Sequence, residues 1–179
     1  MAAQDVLFIQ GAGDMRHPEG SGHLADFLEA QLGSGYRVIA PAMPDADDPQ
    51  YQSWRDAIEQ ELAAIDVPVV IVGHSFGGSV LLKYLAEGTF RKPIRGLLLV
   101  SVPFWGDDFA EFALPPDFAG RLPPTTTFLY HSLDDPEVSV ASLRRYEREL
   151  PGATSRPVPG SEHSFVHGLP VLIDDIRSL

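Results

Sequence analysis

The chain has 179 residues, of which 44% are hydrophobic, and it contains no cysteine. This length predicts one domain spanning residues 1–179, and the lack of thiols excludes disulfides, thiolate metal sites and cysteine nucleophiles. Lys and Arg number 13 against 25 Asp and Glu, giving a formal net charge of −12, which argues against partners such as nucleic acid or anionic membranes.

Six short apolar runs are predicted to be β-strands. Runs that are apolar on both faces are typical of a parallel sheet covered by helices. In chain order, the predicted strands are residues 6–10, 36–40, 67–72, 96–102, 126–130 and the weaker 153–159.

The segments between these runs have the helical period, with apolar residues three or four positions apart. Asp48 followed by Pro49 predicts the start of the second helix. Strands that alternate with helices predict an α/β fold, with a mostly parallel sheet of about six strands and helices on both faces. The apolar helix faces comprise Leu24, Phe27, Leu28 and Leu32; Tyr51, Trp54, Ile58, Leu62 and Ile65; Leu143, Tyr146 and Leu150; and Leu169, Leu172, Ile173 and Ile176.

Residues 103–124 are the least regular part of the chain and have room for at most a short helix. No run approaches the roughly 18 apolar residues that a membrane span needs. The first five residues, MAAQD, lack the basic start and apolar stretch of a signal peptide. A cytoplasmic protein is therefore expected.

The stretch GHSFG at residues 73–77 has the spacing G-x-S-x-G and lies between an apolar run and an amphipathic helix. This context indicates a nucleophile elbow, which presents Ser75 on a sharp strand-to-helix turn. Such a turn leaves no room for side chains at Gly73 and Gly77. The N-terminus of the following helix favours a developing oxyanion. The alternative is an ordinary glycine-rich turn.

A nucleophilic serine needs a base. His131 and His163 follow predicted strands, and functional residues of open α/β sheets collect at the carboxyl ends of strands. His163 follows the last strand and can reach back over the sheet to Ser75, with His167 as its main rival. His74 adjoins Ser75, but successive side chains diverge.

The third member of a triad is a carboxylate that orients the imidazole. Asp134 and Asp135 follow the fifth predicted strand, so the chain order becomes Ser, Asp, His. Either aspartate could instead cap the next helix.

An oxyanion hole needs two N–H donors. The expected pair is the backbone N–H of Phe76, directly after the nucleophile, and that of Ala12, in the loop QGAGD after the first strand. Gly11 and Gly13 would let this loop approach the substrate closely.

These residues together resemble the α/β-hydrolase superfamily, and within it the small serine hydrolases related to retinoblastoma-binding protein nine. The resemblance covers essentially the whole chain, through the early glycine-rich loop and the segments GHSFGG, PFWGDDF, HSLDDPEV and GSEHSF. It implies a compact fold that lacks the first antiparallel strands and a full lid domain. In that superfamily the catalytic aspartate usually stands three residues before a valine, and Val138 therefore implies Asp135.

The chain differs at two positions from many members of the superfamily that it resembles. Gln10-Gly11 stands where many of them have His-Gly, and Val138-Ser139 where they often have Val-Pro. The first departure bears on hydrogen bonding around the oxyanion hole, and neither removes a member of the triad.

Other kinds of site explain the motifs less well. A metal site of His131, Asp134, Asp135 and His163 would leave the elbow unexplained. DADD at residues 45–48 lacks the glycine and glutamate of a calcium loop, and QGAGDM lacks the third glycine of a dinucleotide fingerprint. A protein-binding module on a hydrolase scaffold is the alternative function.

The sequence thus predicts a serine hydrolase that cleaves carboxylic esters, with thioesters and small amides as further candidates. It needs no cofactor and no metal, its partner is a small-molecule ester, and protein partners are left open. Phe104, Trp105 and Phe109 are expected to wall an apolar acyl site, the alternative being that they pack on the core. The short segment 103–124 predicts a shallow pocket that prefers short acyl groups.

Overall fold

The computed structural model describes residues 3–65, 68–106, 109–160 and 162–179. A six-stranded sheet with the order β2-β1-β3-β4-β5-β6 forms its centre, and every neighbouring pair of strands is parallel. The strands are β1 (Gln4–Ile9), β2 (Tyr36–Ile39), β3 (Val69–His74), β4 (Ile94–Val100), β5 (Thr126–Ser132) and β6 (Thr154–Val158).

Helices cover both faces of the sheet. On one face, α1 (Gly22–Leu32) and α6 (Pro170–Ser178) pack over Val6 and Phe8. On the other face, α2 (Tyr51–Ala64), α3 (Ser75–Ala86), the four-residue α4 (Phe118–Arg121) and α5 (Ala141–Glu149) pack over Leu7 and Ile9. Because alternate residues of one strand enter two cores, the central strands β3 and β4 are apolar at most positions on both faces. The predicted α/β fold is confirmed, and the extent of one domain over residues 1–179 stays a prediction.

Several predicted boundaries were off by one or two residues. The third strand was placed at residues 67–72, but β3 continues to His74, and Val67 lies outside the described residues. The fourth was placed two residues late. Val102 was assigned to it because it is apolar, but Ser101 turns the chain with a φ of 51° and ends the strand before it.

The predicted start of the second helix at Asp48 and Pro49 was wrong. The helix α2 begins at Tyr51, and the residue before it, Gln50, is extended and makes no side-chain cap. The Tyr51 N–H donates instead to the carboxylate of Glu111, 2.8 Å away. A carboxylate 60 residues distant therefore satisfies one of the N–H groups that a helix start leaves unpaired.

The strand order determines where a site can form. The chain leaves β1 for α1 on one face and leaves β3 for α3 on the opposite face. The carboxyl ends of these neighbouring strands therefore open a crevice, which is where open α/β sheets bind ligands. Within the described ranges, no helix is long and apolar enough to span a bilayer.

Candidate active site

Ser75 lies at the sharp turn between β3 and α3. Its φ is 48°, a left-handed conformation that costs a non-glycine residue about 1–3 kcal/mol. The flanking glycines make the turn possible, because a Cβ at Gly77 would lie 2.0 Å from the Gln10 carbonyl oxygen. A Cβ at Gly73 would lie 2.8 Å from the Cα of Gly78. The turn therefore has the geometry that the G-x-S-x-G spacing predicted.

His163 is the histidine that contacts Ser75. Its Nε2 lies 3.0 Å from Ser75 Oγ. The rival candidate, His167, is exposed four residues further along the chain. His131 is 1% exposed, and its Nε2–H donates to the Val138 carbonyl at 2.8 Å, which ties together the loop after β5. Of the candidate bases, the structure places His163 beside Ser75.

Asp135 holds the other side of the His163 ring. His163 Nδ1 lies 2.9 Å from Oδ2 and 3.1 Å from Oδ1 of this carboxylate. Oδ1 also accepts the backbone N–H groups of Glu137 and Val138, each at 2.9 Å. The carboxylate thus both orients the imidazole and closes its own loop. An ionised acceptor at Nδ1 keeps a proton there and leaves Nε2 free to accept one from Ser75.

The carboxylate of Asp135 is buried and nevertheless ionised. Burial alone would raise its pKa, but the hydrogen bonds from His163, Val138 and Glu137 outweigh burial and hold the pKa below its ordinary value. The neighbouring Asp134 is exposed, and its backbone N–H donates to the Gly160 carbonyl at 3.0 Å. Of the two candidate acids, the structure brings Asp135 to His163.

The loop of residues 10–13, here called the oxyanion loop, lies beside Ser75. The Gly11 N–H donates to Ser21 Oγ at 2.8 Å and the Gly13 N–H donates to the Ala46 carbonyl at 2.7 Å. In the described part of the chain, neither Ala12 nor Phe76 donates its N–H to a protein acceptor. Both expected donors are therefore available to a ligand.

The buried side chain of Gln10 supports the oxyanion loop at the position where many members of the superfamily have histidine. The side chain is 2% exposed, and its Nε2 donates to the carbonyl of Gly13 at 3.0 Å. Its Oε1 accepts the N–H of Met43 at 3.4 Å. The amide of Gln10 thus spans the loop from within and fixes its curvature.

A cavity of about 100 Å³ opens next to Ser75. The oxyanion loop, His163 and two carboxylates, Glu19 and Glu137, contribute to its lining. The Glu137 carboxylate lies 3.6 Å from His163 Nε2 and is largely exposed. Among the described residues, no group of three or more His, Asp or Glu side chains could hold a metal ion.

The three candidate substrate-binding aromatics do not lie together. Phe104 packs against Phe118 and Tyr146, with ring centroids 6.2 and 5.1 Å away. Trp105 lies 6.3 Å from the ring of Phe76, and Phe109 packs against Trp105 at 4.8 Å. None of the three is among the described residues that line the cavity at Ser75. Phe104 therefore matches the alternative of core packing.

Sequence reasoning missed two serines near the site. Ser21 Oγ lies 2.8 Å from His74 Nδ1, and Ser101 Oγ donates to the His163 carbonyl at 3.1 Å. Ser21 is 53 residues from its partner and Ser101 is 62 residues from its own. No local motif marks either serine, because their partners meet only when the sheet forms.

Comparisons with known proteins identify the family and the fold. A model of the alpha/beta hydrolase family matches residues 6–174. A search of curated proteins gives no match. Among solved structures, the ydeN gene product from B. subtilis superposes with a TM-score of 0.81 at 18% identity, over 98% of both chains.

Two further structures share the fold. The esterase RhEst1 from Rhodococcus sp. ECU1013 has a TM-score of 0.71 at 17% identity, over 99% of this chain and 90% of its own. A serine hydrolase involved in carbazole degradation has a TM-score of 0.74 at 16% identity, over 98% and 90%. Identities this low establish a common fold alone, and the narrower resemblance to retinoblastoma-binding protein nine stays a prediction.

Proposed function

The chain belongs to the alpha/beta hydrolase family, and we propose that it is a serine hydrolase that cleaves carboxylic esters through an acyl-enzyme on Ser75. One observation carries the proposal: the hydrogen-bonded series Ser75 Oγ, His163 and Asp135, with heavy-atom distances of 3.0 and 2.9 Å. A nucleophile, its base and the group that orients the base define this kind of catalysis.

In the acylation step, Ser75 Oγ attacks the ester carbonyl carbon while His163 Nε2 takes the hydroxyl proton. The carbonyl oxygen becomes an oxyanion, which accepts the N–H groups of Ala12 and Phe76. When this tetrahedral intermediate collapses, the C–O bond to the alcohol breaks, and the alcohol oxygen takes the proton from His163. Asp135 stabilises the imidazolium that exists between the two proton transfers.

In the second step, water replaces the alcohol. His163 Nε2 takes a proton from water as its oxygen attacks the acyl carbon, and the same N–H groups hold the oxyanion. Ser75 leaves with the proton from His163, and the carboxylic acid is released. Thioesters and small amides would follow the same steps with a thiol or an amine as leaving group.

The cavity supports a preference for short acyl groups. Its volume of about 100 Å³ is small beside the roughly 300–1,000 Å³ of pockets that hold drug-sized ligands. An acetyl or propionyl group fits such a space, and a long chain would have to lie outside it. Trp105 and Phe109 could contact only the part of a substrate that extends beyond the cavity.

The competing function, a protein-binding module on the same scaffold, does not need an activated serine. A fluorophosphonate separates the two, because only a serine that an adjacent base activates attacks its phosphorus atom, forming an O–P bond as the P–F bond breaks and fluoride leaves. We expect the probe to label the wild type, and Ser75→Ala to abolish labelling. The matched control is Ser79→Ala, since Ser79 is a buried serine of the same helix that donates to the Pro103 carbonyl at 3.1 Å. Strong labelling of Ser75→Ala, or none of the wild type, would overturn the proposal.

A further inference from the structure

Three buried polar side chains lie next to the proposed triad and take no part in the hydrolysis steps, and two of them, His74 and Ser21, also contribute to the lining of the cavity at Ser75. His74, Ser21 and Ser101 are 2%, 3% and 0% exposed. A buried hydroxyl or imidazole has lost its water and is stable only if it finds partners within the protein. Their partners connect two parts of the site.

The direction of each hydrogen bond can be assigned. His74 Nε2 lies 3.0 Å from the His163 carbonyl oxygen, which can only accept, so Nε2 bears the proton. Nδ1 of a neutral His74 is then an acceptor, and the Ser21 hydroxyl donates a hydrogen bond to it at 2.8 Å. The Ser21 oxygen in turn accepts the N–H of Gly11. These bonds run without a break from the oxyanion loop to the backbone of His163.

The environment of His74 keeps this arrangement in one form. Burial is the main cause that lowers the pKa of His74 to about 3, and the charge of the neighbouring His163 lowers it further. The hydrogen bond to the His163 carbonyl and the charge of Asp135 raise the pKa but do not outweigh these effects. The ring is therefore neutral at ordinary pH and has one tautomer. A cationic ring would have a second N–H, and Ser21 could then no longer donate to it.

Ser21 has a position that would ordinarily give it another role. It is the N-cap residue of α1, where a serine hydroxyl usually accepts an N–H of the first turn. Its side chain makes no such bond. The hydroxyl is used by His74 and Gly11 instead, at the expense of the helix cap.

We propose that His74 is a positioning residue that holds the oxyanion loop and His163 in one geometry, with Ser21 as its link to the loop. This inference rests on the proposed function. Ser101 gives the His163 carbonyl a second donor at 3.1 Å, and Asp135 holds the ring at Nδ1, so the histidine is fixed at its backbone and its side chain. A displacement of about 1 Å in such a group can cost about 10²-fold in rate.

Variants of His74 separate its two bonds. In His74→Gln, the amide nitrogen can replace Nε2 as donor to the His163 carbonyl, whereas in His74→Asn the amide oxygen can replace Nδ1 as acceptor from Ser21. His74→Phe removes both bonds and keeps the ring shape. Ser21→Ala removes only the link to the oxyanion loop. Ser79→Ala is again the control, because it also removes one buried hydroxyl that donates to a carbonyl.

We expect His74→Phe and His74→Asn to lose about 10²-fold in kcat and in the rate of fluorophosphonate labelling, with KM changed by less than about threefold. His74→Gln should stay within about tenfold of the wild type because it keeps the bond to His163, and Ser21→Ala should lose about tenfold. Ser79→Ala should retain the wild-type kcat. The rescue by glutamine is a result that a merely structural role of His74 would not produce.

A second measurement does not depend on hydrolysis. The ¹H and ¹⁵N shifts of the His163 Nδ1–H group report its hydrogen bond to Asp135, and we expect these shifts to change in His74→Phe and His74→Asn and to keep their wild-type values in Ser79→Ala. If the wild type is not labelled but these shifts still depend on His74, the proposed function is wrong and the positioning role stands. If the shifts, kcat and labelling rate of every His74 variant match those of Ser79→Ala, the positioning role is wrong.

Discussion

Replacing Asp135 by asparagine keeps the shape of the side chain and removes one hydrogen-bond acceptor. In the wild type, the carboxylate accepts hydrogen bonds from three N–H groups: those of Glu137 and Val138 at Oδ1, and that of His163 at Oδ2. An amide has one oxygen and one NH₂ group, so it cannot accept at both positions. If its oxygen stays with the two backbone N–H groups, its NH₂ group points at His163 Nδ1.

That orientation reverses the tautomer of His163. Nδ1 must accept from the amide, so the ring proton moves to Nε2, where it faces Ser75 and blocks proton transfer. The opposite orientation restores the useful tautomer but leaves the N–H groups of Glu137 and Val138 against an NH₂ group. The exposed Glu137 N–H can bind water instead, whereas the part-buried Val138 N–H would lose its partner at a cost of about 1–3 kcal/mol. The active form would then be disfavoured by about 1–3 kcal/mol, which corresponds to about 5-fold to 150-fold in kcat.

The assay is steady-state hydrolysis of p-nitrophenyl acetate by the wild type, Asp135→Asn and Asp134→Asn, with circular dichroism to check folding. Asp134 is the matched control because its side chain is exposed one residue away. We expect Asp134→Asn to lose less than about tenfold, or about 1.4 kcal/mol, and both variants to fold. A crippled Asp134→Asn beside a nearly normal Asp135→Asn would refute this assignment of the acid.

Three further predictions concern other parts of the chain. Turnover of p-nitrophenyl esters should fall from acetate to palmitate, because the cavity at Ser75 holds about 100 Å³, and a preference for palmitate would contradict a shallow pocket. The free energy of unfolding should decrease by up to about 1.4 kcal/mol per pH unit as the pH falls from 6.5 towards 4.5. The reason is that His74 is protonated in the unfolded chain over this range but stays neutral in the folded chain, where its pKa is about 3. Denaturant titrations should show this slope flattened in His74→Gln, and an equal slope would contradict it. Gly77→Ala should lower the free energy of unfolding by about 1–3 kcal/mol or more, since its Cβ would lie 2.0 Å from a carbonyl oxygen. Gly35→Ala is the control: it has open space around it and should leave the free energy of unfolding nearly unchanged in the same titrations.

The parts of the site that could be predicted from the sequence are those that a short motif marks. The elbow is recognisable within five residues, because Gly73 and Gly77 flank Ser75, although the atom that excludes a side chain at Gly77 is the distant Gln10 carbonyl oxygen. The acid loop is similarly short, and the structure places Asp135 where the spacing to Val138 indicated. In both cases the residues that form the motif lie within three positions of the residue that is positioned.

The parts that could not be predicted depend on partners far along the chain. His74 donates to the His163 carbonyl, 89 residues away. The Tyr51 N–H donates to the carboxylate of Glu111, 60 residues away. Phe104 lies in the irregular segment 103–124, where no periodic pattern shows whether an aromatic side chain lines a pocket or packs on the core. Those details follow from the strand order, which the sequence pattern leaves open.

The parallel sheet also has a kinetic consequence. Neighbouring strands of such a sheet are never joined by a hairpin, so each of the five pairings must close a long stretch of chain before it gains any contact. Folding of this kind is slow compared with that of helical proteins. His163 follows β6, the last strand in the chain and the outermost on its side of the sheet. Regain of p-nitrophenyl acetate turnover after dilution from denaturant should therefore lag behind regain of helical circular dichroism, since His163 can reach Ser75 only after this edge of the sheet has docked.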